Sequence, residues 1–258
     1  MAGYEGFKRE SVKINGVDVV YYTAGEGEPL LFLHGGGTFH GIEFARPWAK
    51  KFKTILPWHP GFAESGDDPS MDQFQDYVLH YIEFLDALKI DKVHLVGFSM
   101  GGYIAIQIAS QFPNRVKKLT MVAPAGMQDK EHPAADILAM PGEELVGRLA
   151  HNFEVLKPWL PTGHDPAFIE ARIRESVTLA RLLWEHPWQR KFMRYIHRAT
   201  MPTLIIWGEN DRIIPVEHAK HWQKAMPHAQ VKTFKDAGHL VLDEKAEATN
   251  AVRDFLAA

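Results

Sequence analysis

Cysteine is absent from all 258 residues. Disulfide frameworks, thiolate zinc sites, iron–sulfur clusters and cysteine nucleophiles are thereby excluded. An excess of one charge is missing too: 29 lysines and arginines face 32 aspartates and glutamates, giving a formal net charge of −3 with histidine neutral. With no basic block and no acidic tail, neither nucleic acid nor a membrane surface is an expected partner. No apolar run reaches membrane-spanning length, and the opening "MAGYEGFKRE" lacks the basic-then-apolar pattern of a signal peptide. A cytoplasmic location is the default expectation. Repeats and low-complexity segments are also lacking. What is present, 46% hydrophobic and 24% charged residues, is the composition of a soluble globular protein with one substantial core.

Eight short β-rich runs are bounded by turn residues. "SVKI" and "VDVVYYT" flank "NG", whose residues accept the positive φ angles of a type I′ hairpin turn. "PLLFLHGGG", "KTILPWHPG", "KVHLVGFSM", "KKLTMVAPAG", "PTLIIWGEND" and "QVKTFKDAGH" follow. The third, fifth, sixth and seventh runs are apolar almost throughout, as strands buried on both faces of a parallel sheet are. Helical patterns lie between them. Over residues 71–90, Phe74, Tyr77, Val78, Tyr81, Ile82, Leu85 and Leu88 recur at spacings of three and four, with "DDPS" ahead as a capping segment. Further helices are expected over 100–112, 215–226 and 244–258. This alternation after an opening hairpin predicts an α/β fold, a doubly wound and mostly parallel eight-stranded sheet.

One region breaks the alternation. From Met127 to Ala199 only helical stretches appear ("EELVGRLAHNFEVL", "PAFIEARIRESVTLARLLW", "WQRKFMRYIHRA"), too long for a loop in a compact domain. The expected organisation is a core of residues 1–126 and 201–258, with 127–200 as a helical lid inserted after the sixth strand.

"VGFSMGG" places Ser99 between a buried strand and a helix. So sharp a turn needs Gly97 and Gly101 beside it, and it pushes the serine outward at the edge of the sheet. A serine hydroxyl also needs a base to take its proton. Of fourteen histidines, His239 follows the last strand and precedes the last helix. Asp211 ends "LIIWGEND", again just past a buried strand. Other groups have blander readings: Glu209 as a loop carboxylate, Asp236 and Asp243 as a turn cap or helix start, and His94 as packed in its strand. A developing oxyanion needs N–H donors, and Met100 offers one at a helix N-terminus. "HGGG" allows a second, assigned to Gly36, with Gly35 and Gly37 its neighbours.

In "LHGGG", "HPGFAES", "VGFSMGG", "GENDRIIP" and "DAGH" the chain resembles the α/β-hydrolase superfamily over nearly its whole length. These segments stand where that family has its oxyanion, turn, nucleophile, acid and base positions. The resemblance implies a catalytic triad of Ser99, Asp211 and His239 and an oxyanion hole at Gly36 and Met100. Where many members have an aspartate, this chain has His59.

"GFSMGG" is similar to the elbow of carboxylesterases and cofactor-free haloperoxidases. "HGGG" with "SMGG" is similar to hydrolases that cleave carbon–carbon bonds in ring-fission products. Those enzymes usually have asparagine before the serine and tryptophan after the histidine, where Phe98 and Leu240 stand here. The expected activity is hydrolysis of a small-molecule carboxylic ester through an acyl-enzyme, with no cofactor and no metal. The alternatives are a C–C hydrolase of vinylogous diketo acids and a ligand receptor. The C–C reading needs a cation from the lid, where Arg172, Arg174, Arg181, Arg190 and Arg194 are available. Phe98 and Leu240 are expected pocket walls; Trp159, Trp184 and Trp188 either line an acyl pocket or pack the lid. His218 and His221 are read as a solvated helix face. Oligomeric state is left open.

Overall fold

The computed structural model describes residues 4–184 and 190–258; Trp188 lies outside them. β1 (Lys8–Ile14) and β2 (Val17–Ala24) form an antiparallel hairpin through Asn15 and Gly16, at φ 47° and 88°. Four strands are then buried along most of their length: β3 (Glu28–Leu33), β4 (Phe52–Pro57), β5 (Val93–Phe98) and β6 (Val116–Val122). β7 (Thr203–Gly208) is buried throughout, and β8 (Gln230–Phe234) buries only Phe234 because it is a sheet edge. The order is β1-β2-β4-β3-β5-β6-β7-β8, with every pair from β4 to β8 parallel.

The chain runs from β3 outward to β4 and then back past β3 to β5. Strand order therefore reverses between β3 and β5, and such reversals open a crevice at the carboxyl ends of an α/β sheet. Gly36 follows β3 and Ser99 follows β5, so both face this crevice.

α1 (Phe74–Ala87) and α2 (Met100–Gln111) cover one face of the sheet. α2 is central: every residue from Met100 to Ser110 is buried. The other face is covered by α7 (Ala246–Ala257) and the short turns at 43–50, joined where Trp48 Nε1 donates to the Thr249 carbonyl at 2.9 Å. α5 (His218–Ala225) precedes β8, and α6 (Val241–Glu244) follows it. The start of α1 differs from expectation. Asp68 closes a local turn on Ser70, and it is Asp76, inside the helix, that accepts the Gln73 N–H at 2.9 Å. A carboxylate at the third helical position reaching back in this way is half of a capping box.

Between β6 and β7 lie α3 (Gly142–Leu149), two single 3₁₀ turns at Phe153–Val155 and Lys157–Trp159, and α4 (Pro166–Leu183). Asp165 caps α4 by accepting from Ala167 and Phe168, both at 3.1 Å, with Pro166 at the first helical position where its missing N–H costs nothing. One face of α4 buries Glu175, Thr178, Leu179 and Leu182; the opposite face leaves Ile169, Ile173 and Val177 in solvent.

The last of the three helical stretches expected in the insertion is instead a 3₁₀ helix, Arg190–Arg198, that packs on α2. Its Phe192 ring meets Tyr103 edge-on at 5.3 Å, and Ile196 is buried beside it. Parallel β7 starts at the far edge of the sheet from where β6 ends, and this segment makes that crossing. Part of the span 127–200 therefore serves the sheet rather than the insertion. Among the described residues no helix is long and apolar enough to cross a membrane.

Candidate active site

Ser99 sits at φ 52°, in the left-handed region, with its N–H bonded to the Val122 carbonyl at 2.8 Å. Its own carbonyl accepts from Gly102, Tyr103 and Ala125, which pins the turn to the end of β6. The flanking glycines are required by close approach. A Cβ at Gly97 would lie 2.3 Å from the Gly101 carbonyl oxygen, and one at Gly101 would lie 2.1 Å from that of Leu33. Both distances are far inside contact.

The three residues expected to act together are brought together. His239 Nε2 lies 2.9 Å from Ser99 Oγ, and its Nδ1 lies 2.7 Å from Asp211 Oδ2. Asp211 Oδ1 accepts from the N–H groups of Ile213 (2.8 Å) and Ile214 (2.9 Å). The carboxylate is thus an acceptor on both oxygens, so imidazole Nδ1 carries the proton and Nε2 presents a lone pair to the serine O–H. The Asp211 side chain is 0% exposed and that of His239 4%, so water does not compete for these bonds. Glu209 instead accepts from the Thr233 hydroxyl, and Asp243 faces His40 Nδ1 at 3.3 Å.

Two backbone donors face the same crevice. Met100 opens α2, where the first N–H groups have no helical acceptor. Gly36 lies across from it, and the Leu179 side chain of α4 would meet a Cβ there at 3.2 Å. The loop carrying Gly36 is held by two buried imidazoles. The His59 N–H donates to His34 Nε2 (2.9 Å), His59 Nε2–H donates to the His34 carbonyl (2.9 Å), and His34 Nδ1–H donates to the Gly35 carbonyl (2.7 Å). The Tyr81 hydroxyl completes the chain at His59 Nδ1. Burial pushes the His59 imidazole down to about 3, and burial followed by the neighbouring His59 lowers that of His34. Both stay neutral, as their donor and acceptor roles require.

Ser99 opens onto two cavities, of about 790 Å³ and about 330 Å³, which share Gly36, Leu138, Leu179 and Ile213 as walls. Phe98 and Leu240 line the larger one. Trp159 and Trp184 do not. Trp159 stacks over Gly41, where a Cβ would come within 2.7 Å of its ring, and Trp184 is 77% exposed at the end of α4. Neither belongs to the walls of the cavities.

Of the inserted arginines, Arg172 lines the larger cavity, Arg181 is paired with Asp67 at 2.7 Å, and Arg174 and Arg194 are exposed. The Arg190 side chain lies outside the described residues. His218 is not on a solvated face: it is buried, with Nε2 2.8 Å from the His132 carbonyl oxygen, while His221 pairs with Asp129 at 2.9 Å. Among the described residues no cluster of three histidine, aspartate or glutamate side chains is placed to hold a metal.

Sequence reasoning missed Glu175 and Leu179, which line the larger cavity, and Thr38, whose hydroxyl donates to Glu175. One signal for the helix pair was present: Glu175 and Leu179 share the helical phase of Leu182, the buried face of α4.

The model of the alpha/beta hydrolase family matches residues 30–252. The 2-hydroxy-6-oxo-6-phenylhexa-2,4-dienoate hydrolase of Burkholderia cepacia is 30% identical, over 91% of this chain and 89% of that protein. Lipase 1 of Psychrobacter immobilis is 30% identical, over 95% and 83%. The dihydrolipoyllysine-residue acetyltransferase component of the acetoin cleaving system of Pseudomonas putida is 31% identical over 87% of this chain, which spans 62% of that longer protein.

Proposed function

The chain belongs to the alpha/beta hydrolase family, and from that premise we propose that it is a serine esterase acting on small to medium, apolar carboxylic esters through an acyl-enzyme. The observation that carries this reading is the relay Ser99 Oγ–His239–Asp211, with bonds of 2.9 and 2.7 Å. Ser99 attacks the carbonyl carbon as His239 Nε2 takes its proton. Asp211 holds the imidazole in the correct tautomer and stabilises the imidazolium. The N–H groups of Gly36 and Met100 receive the oxyanion, where one such donor is typically worth about 10²–10³ in rate. His239 then gives its proton to the leaving alcohol, and water repeats the sequence on the acyl-enzyme. Two apolar cavities meeting at Ser99 suit an ester, one for the acyl group and one for the alcohol. The inserted helices α3 and α4 act as the lid over them.

Turnover of p-nitrophenyl esters from acetate to decanoate tests the proposal. The wild type is expected to show a chain-length optimum, and Ser99→Ala is expected to lose at least about 10⁴-fold in kcat with its fold intact. Covalent labelling by a serine-directed phosphonate is expected to vanish in the same variant. Wild-type activity in Ser99→Ala would overturn the assignment. A second reading, cleavage of a carbon–carbon bond in a dienoate, has the likeness to the Burkholderia cepacia hydrolase in its favour. It is separated from the first by a dienoate substrate in the same assay.

A further inference from the structure

The walls around Ser99 carry few charges. Among the described residues, Asp136 is the charged residue of the smaller cavity, and the larger has Glu143, Asp165, Glu175 and a single guanidinium, Arg172. The charge of that guanidinium is already paired, although its Nε and Nη1 make no hydrogen bond of good geometry among the described residues. Its Nη1 lies 2.7 Å from Glu175 Oε2, and its Nη2 donates to Oε1 at 3.0 Å. The Phe39 and Phe168 rings flank it at 5.5 and 5.3 Å.

Glu175 is held as firmly. Its side chain is 4% exposed, and besides Arg172 it accepts from the Thr38 hydroxyl and, at 3.4 Å, from the Ala63 N–H. Of the three imidazoles that line the larger cavity, His239 serves Asp211 and His40 faces Asp243, while His164 is exposed to solvent, which screens it. A carboxylate entering either cavity would lose its water and meet, among the described residues, no buried and uncompensated positive charge. It would also stand near carboxylates already there, an arrangement that discriminates by repulsion as much as by fit.

We propose that Glu175 is a specificity-determining residue: by engaging Arg172 internally, it restricts the site to substrates without a free carboxylate on either side of the scissile bond. This rests on the ester reading and narrows it to neutral esters. It also disfavours the dienoate reading, whose substrate is an acid. The pair does not touch the reacting atoms, so its effect belongs in the choice of substrate rather than in the chemistry.

The test compares p-nitrophenyl hexanoate with the mono-p-nitrophenyl ester of adipic acid, which has the same six-carbon acyl chain ending in a carboxylate. The wild type is expected to favour hexanoate in kcat/KM by about 100-fold. Glu175→Gln keeps the acceptor for Thr38 and releases Arg172, and is expected to shrink that ratio by about 10-fold, chiefly through a lower KM for the acid ester and less so at high salt. Adding Arg172→Met to that variant is expected to remove the gain. If Glu175→Gln does not fold, the double variant Arg172→Met/Glu175→Met, which leaves no buried charge, is expected to keep the wild-type ratio.

A wild-type ratio near one overturns the proposal while leaving the ester reading intact. So does a gain in Glu175→Gln that survives loss of Arg172, an unchanged ratio in an active Glu175→Gln, or a lost preference in the double methionine variant. Absence of Ser99-dependent turnover of either ester overturns the ester reading, and the proposal with it.

Discussion

Ser99 occupies a backbone conformation that glycine would hold with less strain. A non-glycine residue at φ 52° typically costs about 1–3 kcal/mol, offset here by the surrounding structure. Ser99→Gly is therefore expected to be inactive yet more stable than the wild type by about 1 kcal/mol, after subtracting the entropy that glycine gains in the unfolded chain. Urea unfolding of the two proteins checks this. Gly101→Ala should do the opposite, because its Cβ has no space beside the Leu33 carbonyl; the expected loss exceeds about 3 kcal/mol. At this scale the sequence was easy to read. A serine forced between glycines at a strand–helix junction, an aspartate after a buried strand and a histidine after the next each follow from local pattern. The His34–His59–Tyr81 chain was not legible. It joins residues 22 and 25 positions apart, and nothing in the local composition marks a histidine as buried and neutral.

Among the elements, α4 carries what the pattern left ambiguous. Its amphipathic spacing was visible, but which face would turn inward depends on partners far away in the chain. Glu175 bonds Thr38 across 137 positions, Thr178 bonds the Gly61 carbonyl across 117, and Arg181 pairs with Asp67 across 114. An aromatic count in this region suggested pocket walls or packing, whereas the end of α4 directs Trp184 into solvent. Trp184→Ser is accordingly expected to change stability by no more than about 0.5 kcal/mol and to leave the acyl chain-length optimum where it was. Thermal unfolding and the p-nitrophenyl ester series check both. The strands were more legible than the inserted helices because burial on both faces leaves an apolar run that needs no distant partner to be recognised.

The whole molecule has an acid limit built into its core. His34, His59 and His80 are buried, and burial lowers each, His59 to about 3 and His80 to about 4. The unfolded chain takes up protons at these positions near the ordinary histidine value of about 6.5, while the folded chain resists until far lower pH. Between those limits the unfolded state binds more protons, so stability falls as pH falls. Within that range each histidine contributes a slope of up to about 1.4 kcal/mol per pH unit, and the stability it supplies is present in full only above the unfolded value. Urea midpoints measured from pH 7.5 down to pH 5 should decline steeply below about 6.5; a flat profile would mean that these imidazoles are protonated in the folded state.

The topology has a consequence for ancestry as well. The proposed reacting groups stand at the ends of β3, β5, β7 and β8, whereas α3 and α4 come from one stretch of chain that supplies cavity walls and backbone carbonyls, Leu149 accepting from the Leu240 N–H and Gly147 and Ala150 from Arg212. Substitutions there can alter what is accepted without replacing a residue of the proposed triad, provided Thr38, Gly61, Asp67, Arg212 and Leu240 keep their partners. Descendants of one such sheet can therefore diverge in diet while inheriting the same machinery, and change in this lineage is expected to accumulate fastest between residues 127 and 184.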